Sequence, residues 1–167
     1  MRGALGMAPL TIAYLSDLPA AAPVLAAWFA GEWGDGTPAM APAAIAGRLA
    51  AQAGPPELPL TLLGLLEGEP VATATLKFRE LDWTPEADHW LGSVYVREDA
   101  RGRGFGRAIA AAAEATAAAE GFAPLYLYSP AKVDLYRHLG WEPVGETVAG
   151  GKRATILRQA CLTCASS

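Results

Sequence analysis

The run Arg101-Gly102-Arg103-Gly104-Phe105-Gly106-Arg107 is the stretch of this chain whose residue types and spacing are best suited to chemistry. It follows the apolar, β-branched segment Val94-Tyr95-Val96 and leads into an alanine-rich run over 108–119. That order reads as strand, glycine loop, helix. Glycines carry no Cβ, so the N–H groups of such a loop can come close to a ligand. The first turn of the helix adds unpaired N–H groups and the positive end of its dipole. A phosphate or pyrophosphate is the ligand this arrangement suits. Arg97, Arg101, Arg103 and Arg107 crowd the same place in a chain whose formal net charge is −4. A local positive field on an acidic protein points to a small anion rather than a nucleic-acid track.

The elements that must position this loop follow from the rest of the chain. A first strand is expected near 9–14. A helix capped by Ser16, with Pro19 in its first turn, should place Val24, Leu25, Trp28 and Phe29 on one face and end over Gly31–Gly36. A second helix over 40–52 carries Met40, Ile45 and Leu49 and stops at Gly54-Pro55-Pro56. Leu60–Leu66 is a continuous apolar run of buried-strand type. After a turn at 67–70, residues 71–79 alternate, with Ala72, Ala74, Leu76 and Phe78 against Thr73, Thr75 and Lys77, so the two segments form a hairpin. A polar, acidic excursion over 80–89 precedes the strand at 90–97. The helix after the loop runs to about 120, with Gly121 as its C-terminal cap. A strand follows over 124–128. Ser129-Pro130 starts a helix that ends at Gly140, and strands at 141–148 and 152–159 flank Gly150-Gly151.

The order is β-α-α-β-β-β-α-β-α-β-β, an α/β (α+β) chain with a mixed, mostly antiparallel sheet and helices on both faces. A length of 167 residues suits one domain over 1–167, with 1–8 and 160–167 as loose ends. A hydrophobic share of 52% with 18% charged residues describes a globular protein. No apolar run approaches the roughly 20 residues needed to cross a bilayer, so no membrane partner is expected. Pro9 and the strand-like Thr11-Ile12-Ala13-Tyr14 argue against a signal-peptide core near the start, and a cytoplasmic location is expected. Cys161 and Cys164 are two ligands at most, so no metal is expected there, and a redox motif would not sit in a tail.

Arg101-x-x-Gly104-x-Gly106 after Val94-x-Val96 resembles the acetyl-CoA signature of the GCN5-related N-acetyltransferases, and the element order over 9–159 is also the one that family uses. The resemblance implies acetyl-CoA as cosubstrate, held by Arg101, Gly102, Arg103, Gly104, Phe105, Gly106 and Arg107. Its pantetheine arm would lie along the backbone of a splayed strand containing Val94, Tyr95 and Val96. Tyr136, in Leu135-Tyr136-Arg137-His138-Leu139-Gly140-Trp141, matches the family's Tyr-x-x-x-Gly-aromatic pattern, in which the tyrosine protonates the departing thiolate. A phenol of pKa about 10 can serve a sulfur made basic by tetrahedral collapse. Lys132 stands where the family often has an asparagine. A base must take the proton of the attacking amine, and the resemblance turns attention to Asp88-His89-Trp90. Asp88 acts directly or orients His89, or a water chain does the work.

The resemblance further implies direct transfer in a ternary complex; the acceptor expected is a primary amine of a small, cationic molecule, and the protein is expected to be a monomer or homodimer. The segments that would face the acceptor supply Trp33, Asp35 and Trp83, with Glu32, Asp82 and Glu86 beside them. A non-catalytic acyl-CoA sensor is the alternative. A dinucleotide-binding loop would want glycine or alanine where Arg107 stands, and a nucleotidase loop would want Gly-Lys-Ser/Thr.

Overall fold

The computed structural model describes residues 9–159. Cys161 and Cys164, the first eight residues and the tail from 160 lie outside the described residues. The elements run β1 (Thr11–Tyr14), α1 (Ala22–Trp33), α2 (Pro42–Ala50), β2 (Leu60–Leu66), β3 (Glu69–Phe78), β4 (His89–Val96), α3 (Phe105–Glu120), β5 (Leu125–Ser129), α4 (Val133–His138), β6 (Trp141–Ala149) and β7 (Lys152–Gln159). This is the order expected from the sequence. The strands form one seven-stranded sheet, ordered β1-β2-β3-β4-β5-β7-β6. β1 pairs antiparallel with β2, and β7 pairs antiparallel with both β5 and β6. β4 and β5 pair in parallel, as the helical crossover between them requires.

One compact unit comprises the chain up to Thr75 together with Ser93–Ala113. Its core joins Leu25, Ala26 and Phe29 of α1, Ile45 and Leu49 of α2, and Leu63 and Leu65 of β2. The helical frame here differs from the expected one. Two short 3-10 turns, Leu15–Asp17 and Pro19–Ala21, precede α1, and no side chain caps any of the three. Ser16 instead packs its hydroxyl against Gly54, where a Cβ would come within 2.6 Å of Ser16 Oγ. With α1 starting at Ala22, the buried row is Ala22, Leu25, Ala26 and Phe29, and Val24 turns outward at 41% exposure. β2 and β3 are buried along both faces from Leu60 to Leu65 and from Val71 to Leu76. Thr61 and Thr75 therefore answer each other, with hydroxyls 3.0 Å apart, and Thr73 donates to the Leu62 carbonyl at 2.8 Å.

The second unit comprises Leu76–Gly92 and the chain from Glu114. Trp90 is fully buried, donates its indole N–H to the Ala87 carbonyl at 2.7 Å, and packs with Tyr126, Ile156 and Ala87. Phe78, expected on an apolar face, is 58% exposed because it falls at the end of β3. Ser129 ends β5 rather than opening a helix: its Oγ accepts from Lys132 N at 2.9 Å, and α4 starts only at Val133. Gly150 and Gly151, with φ of +59° and +77°, form the two-residue turn joining β6 to β7.

Gly145 sits beside a register shift in β6, and a Cβ there would lie 2.5 Å from Trp83 Cζ2. Gly31 lies in α1 with nothing within 4 Å of its missing Cβ. Gly145→Ala is therefore expected to destabilise by about 1–3 kcal/mol through overpacking. Gly31→Ala should stabilise by about 0.5–1 kcal/mol through helix propensity. Denaturant midpoints at unchanged slope would measure both; a neutral Gly145→Ala would show that the Trp83 ring can move.

Candidate active site

The glycine loop belongs to the first unit, and its backbone explains its composition. Gly102 and Gly104 hold φ of +78° and +85°, where L side chains are strained, and open space faces both. Gly106 is different. It lies inside α3, and a Cβ there would only touch Val96 Cγ2 at 3.4 Å. The first bond closing α3 runs from Ala108 N to Gly104 O at 3.1 Å. The N–H groups of Phe105, Gly106 and Arg107 thus have no acceptor within the helix, and they gather at the positive end of a sixteen-residue dipole.

The four arginines divide into two kinds. Arg97 is occupied, pairing with Asp99 at 2.5 Å and Glu69 at 3.7 Å while its backbone N–H donates to Val71 O. It belongs to the fold and adds little net field to the loop. Arg101 is held in place without being neutralised: Nε donates to Val96 O at 2.9 Å, and the guanidinium lies 5.1 Å from the Tyr95 ring centroid. Arg103 lies over the Phe105 ring at 5.0 Å. Among the described residues, Arg101, Arg103 and Arg107 form no ion pair and are exposed. These three carry the positive field.

Tyr95 links the loop to α1. Trp28 stacks on it at 5.3 Å and Trp33 meets it edge-on at 6.1 Å. Trp33 is 44% exposed and ends α1, so of the residues expected toward an acceptor it remains on the surface. Asp35 is also exposed, and hydrogen bonds from the Thr37 hydroxyl and N–H hold its carboxyl below the usual range. Val94, Tyr95 and Val96 are half-buried. Ser93 just before them has φ of +51°, a left-handed residue in the middle of a strand, so the pleat of β4 is broken there.

In the second unit the parallel ladder of β4 and β5 registers only His89 with Leu125 and Trp90 with Tyr126, although β5 continues to Ser129. The backbone groups of Leu127, Tyr128 and Ser129 on that side are not engaged by it. Asp88 and His89, the expected base pair, do not face each other. The Asp88 carboxylate meets Arg79 at 2.8 Å, and the His89 ring stacks on Phe122 at 5.1 Å with Phe78 edge-on at 6.2 Å. Trp83 is half-buried against Tyr126 and Gly145, a packing residue. Glu80, which the sequence analysis did not single out, lies over Gly92 of β4 and pairs with Lys77 at 3.0 Å.

Tyr136 is buried on α4, with Trp141 edge-on at 6.0 Å. Burial pushes its phenol up from the ordinary value, and the Glu114 carboxylate adds to the effect. Such a group stays protonated through neutral pH and can give a proton to a stronger base.

Comparison with known proteins gives this geometry its context. Among curated proteins no sequence match is found. Solved structures share the fold at low identity. An acyl-CoA N-acyltransferase from Pseudomonas aeruginosa is 18% identical with a TM-score of 0.65, covering 91% of this chain and 100% of its own. A GNAT-family acetyltransferase from Streptococcus pneumoniae is 17% identical with a TM-score of 0.66, covering 90% and 98%. An aminoglycoside 6'-N-acetyltransferase complexed with coenzyme A is 13% identical with a TM-score of 0.69, covering 89% and 96%. A family model described as the acetyltransferase (GNAT) family matches residues 24–141, a span holding β4, the glycine loop, β5 and Tyr136. On that match, which covers well over half of its length, the chain belongs to the acetyltransferase (GNAT) family.

Proposed function

We propose that this protein is an N-acetyltransferase that moves the acetyl group of acetyl-CoA to a primary amine of a small, cationic molecule by direct attack. The observation that carries the reading is the loop at 101–107. Two left-handed glycines, a helix start with free N–H groups and three unpaired arginines make a cradle suited to the cosubstrate's diphosphate. The left-handed Ser93, which breaks the pleat of β4, fits an amide-rich pantetheine arm bonded to the strand backbone of Val94, Tyr95 and Val96. Family membership and the coenzyme A complex of a structural neighbour support the same choice of cosubstrate.

In the proposed reaction the amine nitrogen forms a bond to the thioester carbonyl carbon, and the carbon–sulfur bond then breaks. The amine proton passes to a base, and Tyr136 gives its phenolic proton to the leaving sulfur. Of the expected base pair, Asp88 is already engaged by Arg79, whereas the His89 ring makes no hydrogen bond among the described residues and keeps a nitrogen able to accept. Trp33, with the ionised Asp35 and the exposed Glu32, Asp82 and Glu86, supports a cationic acceptor.

Gly104→Glu puts a negative side chain into the cradle and strains a left-handed residue. Calorimetry with acetyl-CoA should then detect little or no binding, and wild-type affinity would overturn the loop assignment. Arg107→Ala should weaken binding and flatten its salt dependence, whereas Arg97→Ala should leave the salt dependence as it is. Tyr136→Phe is expected to keep acetyl-CoA affinity while turnover falls, within the roughly 10²–10⁴-fold range for a lost general acid or base. For His89→Gln, acetyl-CoA affinity should stay while kcat across a panel of amines falls, within the same range for a lost general base. Activity confined to neutral hydroxyl acceptors would remove the amine reading altogether.

A further inference from the structure

Glu114 is a charge the reaction described above does not use, yet it sits among the residues around Tyr136. It lies on α3, half-buried, and its two oxygens are both taken: Oε2 accepts from Trp141 Nε1 at 3.0 Å, and Oε1 accepts from Gln159 Nε2 at 2.7 Å. Both donors are neutral. Among the described residues no lysine, arginine or histidine pairs with this carboxylate. A half-buried carboxylate held by neutral N–H groups alone loses solvation without gaining a countercharge, so as a structural tie it is inferior to an amide. Trp141, the ring it holds, stands edge-on to Tyr136 at 6.0 Å.

We propose that Glu114 is a positioning residue that keeps Tyr136 in its phenol form and fixes the ring's pose through Trp141. This rests on Tyr136 being the acid only for its catalytic consequence; the hold on the proton is a property of the folded protein. The chemistry is electrostatic. An unneutralised negative charge near a phenol makes phenolate costly, so the proton stays on oxygen until a stronger base, such as a thiolate leaving a collapsing tetrahedral centre, arrives. Burial of Tyr136 works in the same direction, and Glu114 itself is pushed up by burial, against the pull of its two hydrogen bonds.

The other charges near α4 do not compete for this role. α4 packs on β6 and β7, where Glu142 pairs with Arg158 and Glu146 with Arg153, all exposed, and Lys152 is exposed as well. On α4 itself Asp134, Arg137 and His138 are exposed. Glu114 is instead half-buried and bonded to Trp141, the ring that meets Tyr136 edge-on.

Glu114→Gln tests the inference with nearly the same shape. The Gln159 amide can turn over to accept from the new side chain, so both hydrogen bonds survive while the charge is lost. The readout is the ionisation of Tyr136, followed as tyrosinate absorbance and isolated as the difference between each protein and the same protein carrying Tyr136→Phe. The midpoint should fall in Glu114→Gln, because the charge that disfavours phenolate is gone while the shape is kept. Glu114→Asp, which keeps the charge but draws it back, should restore most of the difference. It also serves as the test if Glu114→Gln fails to fold, for it then must lower the midpoint by a smaller amount. The alkaline limb of kcat should move to lower pH together with the absorbance midpoint. An unmoved midpoint in the charge-neutral variant overturns the proposal. A midpoint that moves while the kcat limb stays supports Glu114's hold on the proton and refutes Tyr136 as the acid, which separates the two readings.

Discussion

The parallel contact between β4 and β5 packs around one large buried side chain. Trp90 has no exposed surface, its ring lies 5.5 Å from Tyr126 and 6.5 Å from Tyr128, and its N–H reaches back to Ala87. An indole buried with its donor unmet would cost about 1–3 kcal/mol, so the loop before β4 must return to bring the Ala87 carbonyl under it. That loop is closed by Arg79, whose backbone N–H donates to Asp88 O at 2.7 Å and whose side chain reaches the Pro85 carbonyl and the Asp88 carboxylate. The ladder registers His89 and Trp90 and goes no further. β5 meanwhile is committed on its other side, where Tyr126 to Ser129 all pair with β7. A strand anchored at one end and fully paired on one edge leaves its remaining backbone groups on the other edge to be satisfied by something else.

Much of this was legible in the sequence because backbone demands are written in residue types. Left-handed positions at 102 and 104 call for glycine, and glycine is what stands there; the same holds at Gly121, Gly150 and Gly151. Buried strands wrote themselves as Leu60–Leu66, and the α1–α2 core as Leu25, Phe29, Ile45 and Leu49. Side-chain partnerships were not legible, since they depend on which distant segments meet. Arg97 reads as one more cation beside the loop until Glu69, in another strand, is found next to it. Trp83 stands between Asp82 and Thr84 and looks like a surface aromatic, yet the missing side chain of Gly145 lets it sink into a core. Asp88 and His89 are neighbours in sequence, but at a strand entry successive side chains leave on opposite faces, which sends one to Arg79 and the other to Phe122. Glu80 gave no signal at all, being one acid among several in a loop without periodicity.

The electrostatics show a division of labour between charges that build and charges left to act. Most acidic and basic groups near β3, β4, β6 and β7 are paired at the surface, as with Arg153 and Glu146 or Arg158 and Glu142. Such exposed pairs contribute little to stability, about 0–1 kcal/mol each, but they remove stray fields. The charges without a partner stand out against this background. Among them are the three arginines of the glycine loop and Glu114, which has no countercharge and is half-buried and therefore less screened.

Ser93 carries a consequence for how this sequence can drift. A residue at φ +51° inside a strand excludes every β-branched amino acid, although valine and isoleucine are what strands otherwise favour. Selection acting on β4 would thus meet a site where the ordinary β-forming alphabet is closed and where serine, asparagine, aspartate and glycine are the residues in exchange. Any substitution that improved β4 as a strand there would straighten its pleat, so a locally poor strand former is the condition for the bend.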